Sequence, residues 1–291
     1  MPPIVAFFNQ KGGTAKTTST LNVAAALAER GHQVLAVDLD PQASLTMALG
    51  IDVRRLELSV YDLLADEDLP LVEAISFTRI QGLDLIPSHP DLAAAELELL
   101  NALERERRLD DKFQAARDLP YDFVLIDSPP ALNILSINIL VAVDAIVIPI
   151  EPHPLSLMVL QRLFETLQRI RRLNRRIEII GFLPTKVHHS SRLASDMIAT
   201  LQERLAQQQD ARGDVERTAL GERGRVDRRA HVDLAVHAAV GAVNGVPECG
   251  PVPRRMGRED GTCRSRLAAR RIGGFSLTPP FRNITPAPSV C

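Results

Sequence analysis

Asn9-Gln10-Lys11-Gly12-Gly13-Thr14-Ala15-Lys16-Thr17-Thr18 follows the apolar run Ile4 to Phe8 and precedes a helix-like segment, Ser19 to Arg30. A strand, a turn of small residues and a helix opened by a lysine form a cradle for phosphate. Glycines let successive backbone N–H groups face inward, the helix N-terminus adds partial positive charge, and Lys16 has the reach for β- and γ-phosphates. Thr17 stands where a hydroxyl would hold Mg2+. The segment departs twice from the pattern G-x-x-x-x-G-K-[ST], with Gln10 at the first glycine and Ala15 at the second. It carries a second lysine instead, Lys11, and two lysines at one turn need a polyanion to offset their repulsion.

Two further strands end in carboxylates. Gln33 to Val37 runs into Asp38-Leu39-Asp40-Pro41-Gln42, and Phe123 to Ile126 runs into Asp127-Ser128-Pro129-Pro130. Open α/β sheets bind ligands at the carboxyl ends of their strands, so Asp40 and Asp127 are candidates for chemistry on whatever the first turn holds. Ala145 to Pro149 and Ile177 to Pro184 extend the sheet. Between them Pro154 to Leu173 is helical, with Leu155, Val159, Leu163, Leu167 and Ile170 at spacings of three and four. Alternating strands and helices predict an α/β fold, a doubly wound and mainly parallel sheet flanked by helices. Ser59 to Leu64 reads as a short helix and Gly82 to Ser88 as a strand entering a turn. Asp91 to Arg108 reads as one long amphipathic surface helix, with Glu96, Glu98, Glu104 and Glu106 on its solvated face.

On these segments the chain resembles the ParA/MinD family of deviant P-loop ATPases, whose signature is K-G-G-x-x-K-[ST]. The D-x-D-P-Q segment at Asp38, the D-x-[PA]-P segment at Asp127 and the V-Y-x-L-L segment at Val60 match that family too. The resemblance implies ATP and Mg2+ as cofactors, with Lys11, Gly12, Gly13, Thr14, Ala15, Lys16, Thr17 and Thr18 around the phosphates. It implies that Asp40 positions the attacking water, acting with Lys11 and Lys16, and that Thr17, Asp40 and Asp127 serve the metal. Pro184 and Thr185 would face the adenine base. By the same resemblance, ATP is sandwiched in a homodimer with Lys11 reaching the partner's phosphates. That dimer binds DNA without sequence preference, Arg192 lies at a position implicated in the contact, and a centromere-binding ParB-type partner stimulates slow hydrolysis. The implied task is segregation of a chromosome or plasmid in the cytoplasm, on the nucleoid. A MinD-like membrane role would need a basic amphipathic helix at the carboxyl end, which Pro279-Pro280 and Pro286-Ala287-Pro288 oppose.

With 291 residues and 45% hydrophobic composition, the chain can bury a substantial core. Aromatics are only 4% and tryptophan is absent, which argues against a base-stacking platform for single strands. The amino terminus lacks a basic segment followed by an apolar one, so the chain reads as unprocessed and cytosolic. The apolar stretch Ile134 to Ile150 is broken by Asn138 and Asp144 and is not expected to span a membrane.

Near residue 206 the composition changes. Residues 207–291 hold fourteen arginines, no lysine and nine acids, a balance of +5; against −2 for the whole chain this leaves −7 for the first 206 residues. DNA affinity would therefore need a local basic patch, with Arg171, Arg172, Arg175 and Arg176 as one run. All three cysteines, Cys249, Cys263 and Cys291, lie in the second part without the close pairing of a zinc site. None precedes residue 249, which argues against the related nitrogenase iron protein. We expect residues 1–206 to form the ATPase domain, incomplete at its carboxyl end. Residues 207–291 form an irregular tail, produced either by a frameshift near Leu205 to Gln209 or by a disordered basic extension. The competing functional expectation is a non-hydrolysing or misfolded nucleotide-binding remnant.

Overall fold

Alternation along the strands separates two apolar layers. In a computed structural model, described for residues 1–99 and 102–187, β1 (Ile4–Phe7) turns Ile4 and Ala6 to one face of a sheet and Val5 and Phe7 to the other. The same division runs through β2 (Val34–Asp38) and β5 (Phe123–Asp127), and each of these three strands is buried at every position. Strands covered on both faces read as continuous apolar runs, the pattern met at Ile4, Val34 and Phe123.

Among the described residues, seven strands are hydrogen-bonded in the order β3-β4-β2-β5-β1-β6-β7. β4 (Leu83–Ile86), β6 (Ala145–Ile150) and β7 (Glu178–Pro184) are parallel to the central three; the two-residue β3 (Ser76–Phe77) pairs antiparallel at one edge. α1 (Lys16–Glu29) closes one face through Val23, Ala24 and Leu27, with Leu45 of α2 (Ser44–Ala48) beside it. α3 (Val60–Ala65), α4 (Leu92–Leu99), α5 (Arg108–Ala115), α6 (Ile134–Ala142) and α7 (Pro154–Ile170) supply the other layer. The mainly parallel sheet flanked by helices is the fold expected from the sequence. No described helix is long and apolar enough to cross a membrane.

Two local expectations change. α1 begins at Lys16, inside the cradle sequence, so the lysine and Thr17 lie in its first turn. The single helix expected over Asp91 to Arg108 is two helices, α4 and α5, separated by a turn in which Glu104 adopts φ 52°. Buried Asn138 of α6 explains the break: its amide donates to the Arg105 carbonyl at 2.7 Å and its oxygen accepts from the Leu109 N–H at 3.1 Å. A continuous helix would have paired those groups internally. The leucines of this stretch divide accordingly, Leu92 and Leu99 buried and Leu97 and Leu103 exposed. Arg192 and the tail from 207 lie outside the described residues.

Candidate functional site

Asn9, just past the end of β1, sets the cradle. Its amide donates to the Pro149 carbonyl at 2.7 Å, anchoring the turn on β6, while its oxygen accepts from the Lys11 N–H at 2.9 Å. Gly13 at φ 72° and Ala15 at φ 64° both occupy the left-handed region, and only the first is a glycine. Ala15 precedes α1 without a side-chain hydrogen bond to the helix. The first N–H groups of a fourteen-residue helix are thus left for an anion. Lys16 is buried and folds back, its Nζ 3.4 Å from the Lys11 carbonyl oxygen. Burial lowers its pKa, opposed by the charges of Asp127 and Asp40.

The parallel register brings the carboxylates to the same level. Phe7 of β1 and Asp38 of β2 are both opposite Asp127 of β5. Asp127 is fully buried, and neither of its oxygens has a hydrogen-bond partner. Burial, reinforced by the charges of Asp38 and Asp40, pushes its pKa up to about 8. The Thr17 hydroxyl and Lys16 oppose that shift, but neither completes a hydrogen bond to the carboxylate. Four unused lone pairs in a dry site are costly unless a proton or a cation takes them. Asp127 and Thr17, an ionisable carboxyl and a hydroxyl beside an anion cradle, are a donor set suited to Mg2+, which completes its shell with water and phosphate oxygens. Asp40 is half-buried at the rim, its Oδ1 accepting from the Gln42 N–H at 3.0 Å.

Asp38, two positions before Asp40, is not among the candidates the sequence singles out. It is fully buried, with burial pushing its pKa up to about 6 against the hydrogen bonds it receives from Thr46 and Asp40. Its Oδ2 accepts from the Thr46 N–H at 2.9 Å and the Thr46 hydroxyl at 2.8 Å, and its Oδ1 from the Asp40 N–H at 3.2 Å. Both oxygens are engaged, so Asp38 holds the chain in place where Asp127 offers free oxygens. Its sequence signal was the D-x-D spacing alone.

The opposite flank of the cradle is looser. Lys11 meets Glu151 at 3.6 Å, and Gln10 reaches Thr166 of α7 at 3.5 Å. The Thr185 hydroxyl donates to the Thr14 carbonyl at 3.3 Å, so the residues that follow β7 do lie against the turn. Lys186, at φ 54°, places its Nζ 3.9 Å from where a Cβ on Gly13 would sit. The structure thus gathers Lys11 to Thr17, Asp40, Asp127 and Thr185 around one turn. Pro184 closes β7 beside them, and Thr18 points its side chain to solvent from α1.

A sheet with a lysine-rich turn between β1 and α1, and aspartates at the ends of β2 and β5, defines a P-loop nucleotide-binding protein of the deviant, two-lysine kind. A family profile described as an AAA domain matches residues 3–179. The chain is 39% identical over 196 residues to the chromosome partitioning protein ParA of Caulobacter vibrioides, covering 67% of this chain and 73% of that one. It is 40% identical over 199 residues to the sporulation initiation inhibitor protein Soj of Bacillus subtilis, covering 68% and 78%. A crystal structure of cobyrinic acid a,c-diamide synthase from Mycobacterium smegmatis with bound ADP and magnesium superposes with a TM-score of 0.65 at 35% identity, over 70% of this chain and 82% of that one. The chain belongs to the ParA family of P-loop ATPases.

Proposed function

We propose that this chain is an ATP-driven dimer switch that serves DNA segregation, with ATP and Mg2+ as its cofactors. The observation that carries the reading is the buried Asp127, both oxygens unpartnered, level with Asp38 and near enough to Asp40 and to Lys16, at the start of α1, for their charges to act on it. Lys16 and the N–H groups of Gly12 to Thr17 bind the β- and γ-phosphates, while Thr17 and Asp127 hold the metal. Bound Mg2+ supplies charge neutralisation on the phosphates. Asp40, at the rim, orients the water that attacks in line. Lys11 extends to the phosphates held by a second copy, leaving Glu151 as it does so. Pro184 and Thr185 border the base, and Arg192 contributes to DNA binding on the dimer. A ParB-type protein stimulates turnover, in keeping with the partitioning role for which the Caulobacter relative is named.

We take residues 1–206 as the ATPase domain and 207–291 as a separate tail. The arginine-rich, lysine-free composition of that tail favours a second reading, a chain that binds nucleotide without completing the switch. Light scattering and DNA co-sedimentation of the full chain with MgATP and with MgADP separate the two. The switch gives a dimer and DNA pelleting with MgATP only. A monomer that ignores DNA in both nucleotides removes the switch and leaves the second reading.

A further inference from the structure

Asp38, Thr46, Ser88 and Asp40 close a ring of hydrogen bonds beside the cradle. The Thr46 hydroxyl donates to Asp38 Oδ2 at 2.8 Å and, its one proton used, accepts the Ser88 N–H at 2.9 Å. The Ser88 hydroxyl then donates to the Asp40 carbonyl at 2.7 Å, and the Asp40 N–H returns to Asp38 Oδ1 at 3.2 Å. Asp38, Thr46 and Ser88 are each wholly inaccessible to solvent. Only a group that donates once and accepts once fits the Thr46 position, and only a donor fits Ser88. The ring joins three elements, the end of β2, α2 and the residues after β4. It grips Asp40 by both backbone polar groups while leaving its carboxylate at the rim. The left-handed Ala43, at φ 50°, keeps the return from Asp40 to α2 tight, its N–H donating to that same Asp40 carbonyl at 2.8 Å.

We propose that Thr46 and Ser88 are positioning residues for hydrolysis, fixing the backbone of Asp40 so that its carboxylate meets the attacking water. The inference rests on the ATPase reading above, in which Asp40 orients that water. Positioning of a reacting group within a fraction of an ångström affects the chemical step far more than binding, because ground-state contacts to the nucleotide lie on a different turn. The two hydroxyls therefore act on kcat and leave the affinity for nucleotide nearly alone.

The test compares the full wild-type chain with Thr46→Val, Thr46→Ser, Ser88→Ala and Lys16→Ala, measuring phosphate release across MgATP concentrations and MgADP affinity by calorimetry. Thr46→Val keeps the shape and removes the hydroxyl; it is expected to lower kcat about tenfold or more at unchanged MgADP affinity. Thr46→Ser restores the rate, and Ser88→Ala falls between them. Backbone amide exchange adds a readout that needs no turnover: Thr46→Val quickens exchange at Ser88 and Asp40 with β1 and β5 unchanged. Wild-type turnover above Lys16→Ala with Thr46→Val equally fast overturns the positioning role and spares the ATPase reading. Loss of rate and of MgADP affinity in parallel overturns it too, by making the ring a structural brace. Wild-type turnover no faster than Lys16→Ala removes the ATPase reading, and this inference with it.

Discussion

On one side of the Lys11–Thr17 turn, fully buried Asp38, Thr46 and Ser88 are joined to Asp40 by hydrogen bonds of 2.7–3.2 Å. On the other, Lys11 and Glu151 meet at 3.6 Å with 40% and 35% of their side chains exposed, and Gln10 reaches Thr166 only at 3.5 Å. The first flank is already shaped before any ligand arrives, and its groups have no cheap alternative to the bonds they make. The second can exchange its contacts for others at small cost, since exposed ion pairs contribute little. The proposed nucleotide switch would use both: a rigid wall for chemistry and a soft wall that changes partners.

The largest expected effect removes the group the two walls share. Lys16→Ala should cost about 3 kcal/mol of MgATP binding, the scale of a charged hydrogen bond, or about a hundredfold in Kd by calorimetry. A loss under threefold would mean that the cradle does not centre on Lys16.

Next is the buried, unpartnered carboxylate of Asp127, which belongs to neither wall. Asp127→Asn should raise the melting temperature of the nucleotide-free protein while abolishing its stabilisation by MgATP. The pH dependence follows from its raised pKa of about 8. A carboxyl whose folded pKa lies above its unfolded value favours the folded state in the protonated form, so its contribution is full below about pH 4 and lost as pH climbs to about 8. The melting temperature of wild type, taken relative to Asp127→Asn, should therefore fall between pH 6 and pH 8.5 without metal. Mg2+ held at the proposed site would displace that proton, so chelation with EDTA should matter more at pH 8.5 than at pH 6. A flat difference across that range would show that Asp127 is ionised in the nucleotide-free protein.

A smaller effect is predicted at the left-handed Ala15. Ala15→Gly relieves an L-residue at φ 64° and should stabilise the protein by about 1 kcal/mol in urea titration. Unchanged or lower stability would mean that the wall's packing holds Ala15 without strain.

Smallest is the soft wall itself. Glu151→Gln should change urea stability by under about 1 kcal/mol, given the exposure of both partners. A larger loss would place Lys11 and Glu151 with the rigid side and erase the contrast.

The cradle was legible because its chemistry is local: strand, Gly12-Gly13, Lys16 and Thr17 occupy consecutive positions, and Asp40 and Asp127 announce themselves at strand ends. The sheet was legible for a similar reason, since strands buried on both faces appear as unbroken apolar runs. Asp38 and its ring were not, because their meaning depends on Ser88, which lies 42 positions from Thr46 and is brought to it only by the pairing of β2 with β4. The break between α4 and α5 was hidden likewise. Glu104 and its neighbours suit a helix by composition, and it takes Asn138, 33 positions from Arg105, to draw those backbone groups away. The second flank was partly visible: Pro184 and Thr185 were expected near the nucleotide, but Glu151 carries no local signal.

The most direct measurement is steady-state phosphate release from MgATP by the full chain beside Lys16→Ala, with and without DNA. Slow turnover by the wild type is expected at least about a hundredfold above the variant, the scale of removing one preorganised donor to developing charge, with faster turnover when DNA is present. Equal rates for the two proteins, whether or not DNA is added, would contradict the ATPase reading.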